Sequence, residues 1–292
     1  MDRVILHCDC NCFFASVEMI SRPELREVPM AVCGDPESRH GIILAKNEKA
    51  KAFRVQTAET IWQAKSKCPQ LVLVKPHYQE YTRISKAVNE IYHRFTDYIE
   101  PFGIDESWLD VTDSQKLFGD GKMIADTLRE TVRNELGITI SVGVSFNKVF
   151  AKLGSDYKKP DATTVIDREN FRKMLFPLSA SDMLYVGRAT KTVLEKLGIR
   201  TIGDLARADP AFLIRKLGKQ GSMIWQFANG KDAGVISSAP APNKGYGNAV
   251  TTPRDVTDFS YADQVLLSLC ETVGARLRRD EQAGSCLTVH LR

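Results

Sequence analysis

The chain has 292 residues, 43% apolar and 26% charged, with a formal net charge of +4, the proportions of an ordinary soluble globular protein of more than one domain. No apolar run approaches the 18 residues a membrane span needs, and Met1-Asp2-Arg3 leads straight into a strand-sized run, so neither a membrane span nor a secretory signal is expected. Seven cysteines, odd in number and without framework spacing, point to free thiols in a reducing cytoplasm.

Val4-Ile5-Leu6-His7-Cys8 is continuously apolar, the pattern of a buried central strand rather than a half-wet edge. Residues 13–19 follow as a helix. Residues 30–33 and 42–45 read as strands around the loop 34–38, and 47–53 and 61–68 as short helices. Leu71-Val72-Leu73-Val74 is another buried strand. Over 78–98 the apolar positions Tyr81, Ile84, Val88, Ile91, Tyr92 and Phe95 recur at three and four, which predicts a long amphipathic helix.

Residues 99–111 carry apolar flanks around Gly103-Ile104-Asp105-Glu106-Ser107, a β-hairpin with carboxylates at its tip. A helix at 122–136, a strand at 139–144 and a helix at 148–157 complete a mixed α/β unit, and beyond 167 short helices take over. Two segments there, around Gly187 and around Gly218, share a glycine-centred helix-turn-helix pattern. Such turns offer backbone N–H groups to phosphate oxygens, although most are plain connections. Ala239-Pro240-Ala241-Pro242-Asn243-Lys244-Gly245 reads as a linker. A strand at 248–252, a helix at 261–279 and a strand at 286–292 then make a piece too small for its own core.

Asp9 ends the predicted first strand, a costly place for a charge unless it is paired or metal-bound. Alone, Asp9 reads more simply as a carboxylate capping the next helix, and Asp105 and Glu106 as a wet hairpin tip. Together, three carboxylates far apart in sequence are what two divalent cations need for in-line phosphoryl transfer. Adjacent strand residues face opposite ways, so Asp105 and Glu106 can share a site only at a turn, and Gly103 supplies one. Cys8, Cys10 and Cys12 alternate beside His7, but without a second ligand pair at finger spacing they read as packing rather than a zinc site. Residues 141–232 hold sixteen Lys and Arg against nine Asp and Glu, and a basic half beside an acidic site suits a polyanion, most simply nucleic acid.

His7-Cys8-Asp9-Cys10-Asn11-Cys12-Phe13-Phe14-Ala15-Ser16-Val17-Glu18, Ile104-Asp105-Glu106-Ser107-Trp108-Leu109-Asp110, Ser141-Val142-Gly143-Val144-Ser145-Phe146-Asn147-Lys148 and the run from Ala151-Lys152 to Lys158-Lys159-Pro160-Asp161 occur in that order. Together they resemble the Y-family translesion DNA polymerases, closest to the bacterial DNA polymerase IV type. The resemblance implies a right-hand α/β architecture. Its palm, with a mixed sheet, spans 1–10 and 78–166, small α/β fingers 11–77, an all-helical thumb with helix-hairpin-helix motifs 167–234, a linker 235–244 and part of a little finger 245–292.

It also implies an error-prone polymerase that adds dNTPs to a primer 3′-hydroxyl on template DNA during damage bypass. Asp9, Asp105 and Glu106, with the Cys10 carbonyl, would hold two Mg²⁺, for which Mn²⁺ could substitute. Backbone N–H groups of Asn11, Cys12, Phe13 and Phe14 would cradle the triphosphate, Lys159 and Lys51 would neutralise it, and Phe14 would stand as a steric gate against a ribose 2′-hydroxyl. The expected protein is a cytoplasmic monomer without membrane contact, and a sliding clamp would be engaged through a region outside this chain. Departures from the family pattern fall at Glu48 and Lys51, where the family usually has Tyr and Arg, at Asn11, which replaces a second Asp, and at Tyr185 and Gly245. A lysine keeps the charge of the arginine but not its bidentate fork, and a glutamate beside a triphosphate repels it unless it turns away. Competing readings are a non-catalytic DNA-binding scaffold at stalled forks and a template-free nucleotidyl cyclase, against which the basic thumb-like segment counts.

Overall fold

The opening apolar run becomes β1 (Ile5–Cys10), with Asp9 one residue before its end. The computed structural model describes residues 2–35, 41–232, 234–238 and 243–291. After β1 comes α1 (Phe13–Ser21), then β2 (Met30–Cys33), β3 (Ile43–Lys46), α2 (Glu48–Ala52), α3 (Ile61–Lys67) and β4 (Val72–Val74). The three strands form a small sheet in the order β3-β2-β4, antiparallel between β2 and β3 and parallel between β2 and β4. Buried Asn47 organises this unit: its Oδ1 accepts the amides of Ala50 and Met30, capping α2, while its Nδ2 donates to the Leu25 and Val28 carbonyls. Thr60 and Gln63 form a reciprocal capping box on α3.

The long helix is α4 (Tyr78–His93), and it buries the predicted stripe Tyr81, Ile84, Val88, Ile91 and Tyr92. It stops before residue 98 because the Thr96 hydroxyl donates to the Asp110 carbonyl and turns the chain into the sheet. β5 (Ile99–Pro101) and β6 (Glu106–Asp110) form the expected hairpin. A short helix without a sequence signal, α5 (Gln115–Phe118), leads to α6 (Gly121–Leu136), which Asp120 caps at the start and Gly137, at φ 69°, ends. β7 (Ile140–Ser145), α7 (Lys148–Tyr157) and β8 (Thr163–Ile166) follow. The larger sheet runs β5-β6-β1-β7-β8, antiparallel except between β7 and β8.

Alternation along β1 divides the chemistry from the core. Leu6, Cys8 and Cys10 pack with Tyr81, Val88 and Tyr92 of α4 and Ile124 and Leu128 of α6. Ile5, His7 and Asp9 face the other way, toward α7. α7 lies hard against the sheet because Gly143 has no side chain, and a Cβ there would collide with the Ala151 carbonyl and the Ser155 amide.

Beyond residue 167, α8 (Phe171–Leu175), α9 (Arg188–Lys196), α10 (Ile202–Arg207), α11 (Pro210–Leu217) and α12 (Lys219–Ala228) build a second core from Leu175, Leu194, Leu205, Leu213 and Ile224, shared with Phe150 and Leu153 of α7 and Ile166 of β8. The chain then returns across the larger sheet. Ile236 is buried against Ile5, Trp108 and Ala151, and Arg3 ties the Gly234 carbonyl to Asp110. Residues 239–242 of the expected linker lie outside the described residues. The last element is α13 (Phe259–Arg279), none of whose residues is buried. The strand expected at 248–252 does not form, nor does the described part, 286–291, of the one expected at 286–292: among the described residues 243–291, α13 is the sole regular element. Strands need ladder partners, and these two neither pair with each other nor meet another sheet.

Candidate active site

The antiparallel register places Asp9 of β1 directly opposite Glu106 of β6, and His7 opposite Trp108. Residues opposite one another share a face, so Asp9, Glu106 and His7 all point toward α7. The hairpin turns at Gly103, whose φ of 150° suits glycine, and closes with the Phe102 amide donating to the Glu106 carbonyl at 2.9 Å. Asp105 therefore sits in the turn, with Glu106 beginning the strand. The Cys10 amide donates to the Asp105 carbonyl at 2.9 Å and locks the end of β1 to this turn.

Ligand atoms of His7, Asp9 and Glu106 lie within 4.8 Å of one another. The Asp105 carboxylate stands outside that group, close enough for its charge to be felt. Burial pushes the Asp105 carboxyl up, and the charges of Asp9 and Glu106 push it further. Asp9 is likewise raised by burial, against the pull of Lys159. For Glu106 burial acts upward too, but contacts with His7 and Lys152 outweigh it and hold the carboxyl at about 2. Two ammonium groups already serve this cluster: Lys159 Nζ is 2.7 Å from both Asp9 Oδ2 and Asp156 Oδ1, and Lys152 pairs with Glu106 Oε2. A half-buried group of oxygen donors, two of them raised by burial and Asp105 further by its neighbours' charge, that draws cations from its own chain fits hard divalent ions.

At the start of α1, Cys12 is the N-cap in left-handed conformation (φ 50°) with no side-chain cap. The first-turn amides that follow, including Phe13 and Phe14, thus keep their helix-start donors available. Asn11 is a correction: its backbone amide donates to the Thr139 carbonyl at 2.9 Å, and its side chain is held by Thr139 and Ser141, so the backbone N–H is committed within the protein rather than offered to a phosphate. Phe14 stacks on Tyr81 with ring centres 4.2 Å apart and planes inclined by 12°. Lys51 Nζ lies 2.7 Å from Glu48 Oε1, which also accepts the Cys12 thiol at 3.2 Å, so Glu48 faces the α1 N-terminus. Cys8 and Cys10 are core residues while Cys12 meets Glu48, and the three thiols do not converge.

In the helical unit, Gly187 and Gly218 are the N-caps of α9 and α12, neither with a side-chain cap. A side chain at either glycine would meet nothing within 4 Å, so both turns are open. Tyr185 holds φ 67° where the family favours glycine, and its carbonyl accepts Gln220 Nε2 at 2.7 Å. Sequence reasoning gave no role to His7 or Lys152, yet both contact Glu106. The signal for His7 was its place two residues before Asp9, on the same strand face.

A palm-like sheet presenting converged carboxylates, a small second sheet and a helical unit with open glycine turns define the Y-family class of DNA polymerase fold. The structure superimposes on the Y-family DNA polymerase chimera Dbh-Dpo4(243-245)-Dbh with a TM-score of 0.85 over 94% of this chain and 80% of that one, at 24% identity. With DinB from Sulfolobus solfataricus the TM-score is 0.74 over 80% and 69%, at 25% identity.

The pattern of the impB/mucB/samB family matches residues 8–156, that of its C-terminal domain 243–292, and that of the DNA polymerase iota thumb domain 184–232. A protein of Acetivibrio thermocellus named DNA polymerase IV is 50% identical over all of this chain and 74% of its own length. DNA polymerase IV 2 of Halalkalibacterium halodurans is 39% identical over 99% and 72%. The chain belongs to the impB/mucB/samB family of Y-family translesion DNA polymerases, of the bacterial DNA polymerase IV type. It is a DNA-directed DNA polymerase. No helix among the described residues is long and apolar enough to cross a membrane.

Proposed function

We propose that this chain extends a primer 3′-hydroxyl with dNTPs on damaged template DNA, with Asp9, Asp105 and Glu106 holding two Mg²⁺ and the Cys10 carbonyl as a backbone ligand. The observation that carries this reading is the pairing of Asp9 with Glu106 across β1 and β6, with the Asp105 turn locked to Cys10. Bound there, the ions would supply Lewis-acid polarisation of the triphosphate and activation of the primer hydroxyl, with Mn²⁺ as a substitute.

The chain's own residues do the rest. Lys159, kept charged by Asp9 and Asp156 despite burial, offers an ammonium to the triphosphate from the end of α7. The N–H groups of Cys12, Phe13 and Phe14 at the start of α1 donate to phosphate oxygens, and Lys51 adds charge. Phe14, fixed on Tyr81, excludes a 2′-hydroxyl.

In the same reading residues 1–10 and 78–166 are the palm, 11–77 the fingers and 167–234 the thumb. Residues 235–244 are the linker and 245–292 part of a little finger. The open turns at Gly187 and Gly218 hold duplex phosphates without reading sequence. With all seven cysteines free, the protein works as a monomer in the reducing cytoplasm, and a sliding clamp is met through sequence outside this chain. The test is primer extension with Mg²⁺ and dNTPs on undamaged and abasic templates. Wild type extends both and Asp105→Ala neither; equal activity of the two overturns the assignment.

A further inference from the structure

We propose that His7 is a positioning residue for Glu106, part of a relay from Ser155 through His7 that, with Lys152, commits one carboxylate oxygen to the protein and leaves the other for the cation. This rests on the metal-holding reading of Asp9, Asp105 and Glu106. His7 is completely buried, under α7. Its Nδ1 is 2.8 Å from Ser155 Oγ, and its Nε2 is 3.2 Å from Glu106 Oε2. Trp108 abuts the imidazole in an edge contact with ring centres 5.1 Å apart, so the ring cannot swing away freely.

The proposed relay requires one arrangement of the protons. Glu106 only accepts, so the favourable neutral tautomer carries its proton on Nε2, toward the carboxylate. Nδ1 is then an acceptor, and the partner within reach is Ser155. The Ser155 hydroxyl has one proton and two acceptors at 2.8 Å, His7 Nδ1 and the Lys152 carbonyl. Turned toward His7, it completes the chain Ser155 to His7 to Glu106. The opposite tautomer would set an imidazole lone pair against a carboxylate.

The Nε2 bond is not yet well aligned, since that atom has no fully formed hydrogen bond. The relay requires this 3.2 Å contact to align, as catalytic hydrogen bonds tighten on complex formation. Lys152 engages the same oxygen, Oε2, from the same stretch of α7 that supplies Ser155. Oε1 is therefore the oxygen Glu106 presents to a cation, and its placement depends on α7 through two routes. Partners that orient a ligand in this way typically change metal affinity or activity about 10–100-fold when removed.

The test measures Mn²⁺ binding to the full chain by electron paramagnetic resonance without nucleotide, beside the Mn²⁺ concentration for half-maximal primer extension. His7→Phe, which keeps an aromatic ring but removes both ring nitrogens, should weaken binding at least about tenfold and raise the Mn²⁺ requirement in step, with primer–template affinity unchanged. His7→Gln, whose amide can donate from the Nε2 position, should recover part of the loss, and Ser155→Ala should shift binding the same way. If Asp105→Ala weakens Mn²⁺ binding while His7→Phe does not, the positioning role is wrong and the site stands. If neither weakens it, the metal reading of the site fails first. Should His7→Phe not fold, Ser155→Ala decides: wild-type Mn²⁺ affinity there overturns the relay.

Discussion

Lys159 at the end of α7 closes a 2.7 Å ion pair with Asp9 in the middle sheet strand, joining the cation of one motif to the carboxylate of another 150 residues away. Burial works against the Lys159 charge, but Asp9 and Asp156 more than restore it, so the ammonium persists through the physiological range. Lys159→Ala should raise the dNTP KM about tenfold, the scale of one charge-assisted hydrogen bond, with a smaller change in kcat. Steady-state single-nucleotide insertion measures this. An unchanged KM would leave Lys159 as the counter-ion of Asp9 alone.

Phe14 is held from behind. Its ring lies flat on Tyr81 and meets Tyr78 edge-on at 5.9 Å, so it cannot yield to a larger sugar by rotating. Phe14→Ala should lower discrimination against ribonucleotides by on the order of 10²-fold and remove a stacking contribution of about 0.5–1.5 kcal/mol. Competitive dNTP and rNTP insertion reads the first and thermal melting the second. Intact sugar selectivity would end the gate assignment.

The Glu48–Lys51 pair sets the charge beside the α1 N-terminus. Both side chains are about half exposed, at 52% and 43%, so the pair contributes little to stability, roughly 0–1 kcal/mol. Its consequence lies in what Lys51 is free to bind. Lys51→Ala should raise the dNTP KM several-fold, while Glu48→Gln, which releases the lysine, should lower it about 2–5-fold, the range of a weakly screened charge. The double variant reports the coupling. A Glu48→Gln enzyme with wild-type KM would place this pair away from the triphosphate.

What the sequence reveals of this site follows from what local pattern encodes. The meeting of Asp9 with the hairpin of Asp105 and Glu106 was legible because a charge in a buried-strand pattern and a carboxylate pair beside a turn glycine are both anomalies. The α4 stripe was legible by its period. The Asn11 amide was not, because its partner Thr139 lies 128 residues on and only the β1–β7 register brings them together. The same holds for Lys152 and Ser155, which reach Glu106 and His7 only because Gly143 lets α7 settle on the sheet. The strands expected at 248–252 and 286–292 misled for the opposite reason: local β propensity was present, but a ladder is a property of pairs.

Glu18 links acid stability to the gate. It is buried in α1, and its carboxylate accepts the Tyr81 hydroxyl at 2.5 Å, faces His77 Nδ1 at 2.8 Å and pairs with Arg22. Burial alone would push the carboxyl up, but the bonds from Tyr81, His77 and Arg22 prevail and hold it below the ordinary glutamate value. A carboxyl lower in the folded than the unfolded state stabilises the fold above the unfolded value, about pH 4.3, and that contribution is lost as pH falls through the folded one. Wild type should therefore lose melting temperature more steeply below about pH 4.3 than Glu18→Gln, while near pH 7 Glu18→Gln should be the less stable by about 1–3 kcal/mol. Because Tyr81 is the plate under Phe14, the variant should also relax sugar discrimination at neutral pH, though less than Phe14→Ala does. Thermal melting of both proteins from pH 7 to pH 3 checks the first two statements. Parallel curves would mean that Glu18 is not the acid-sensitive link.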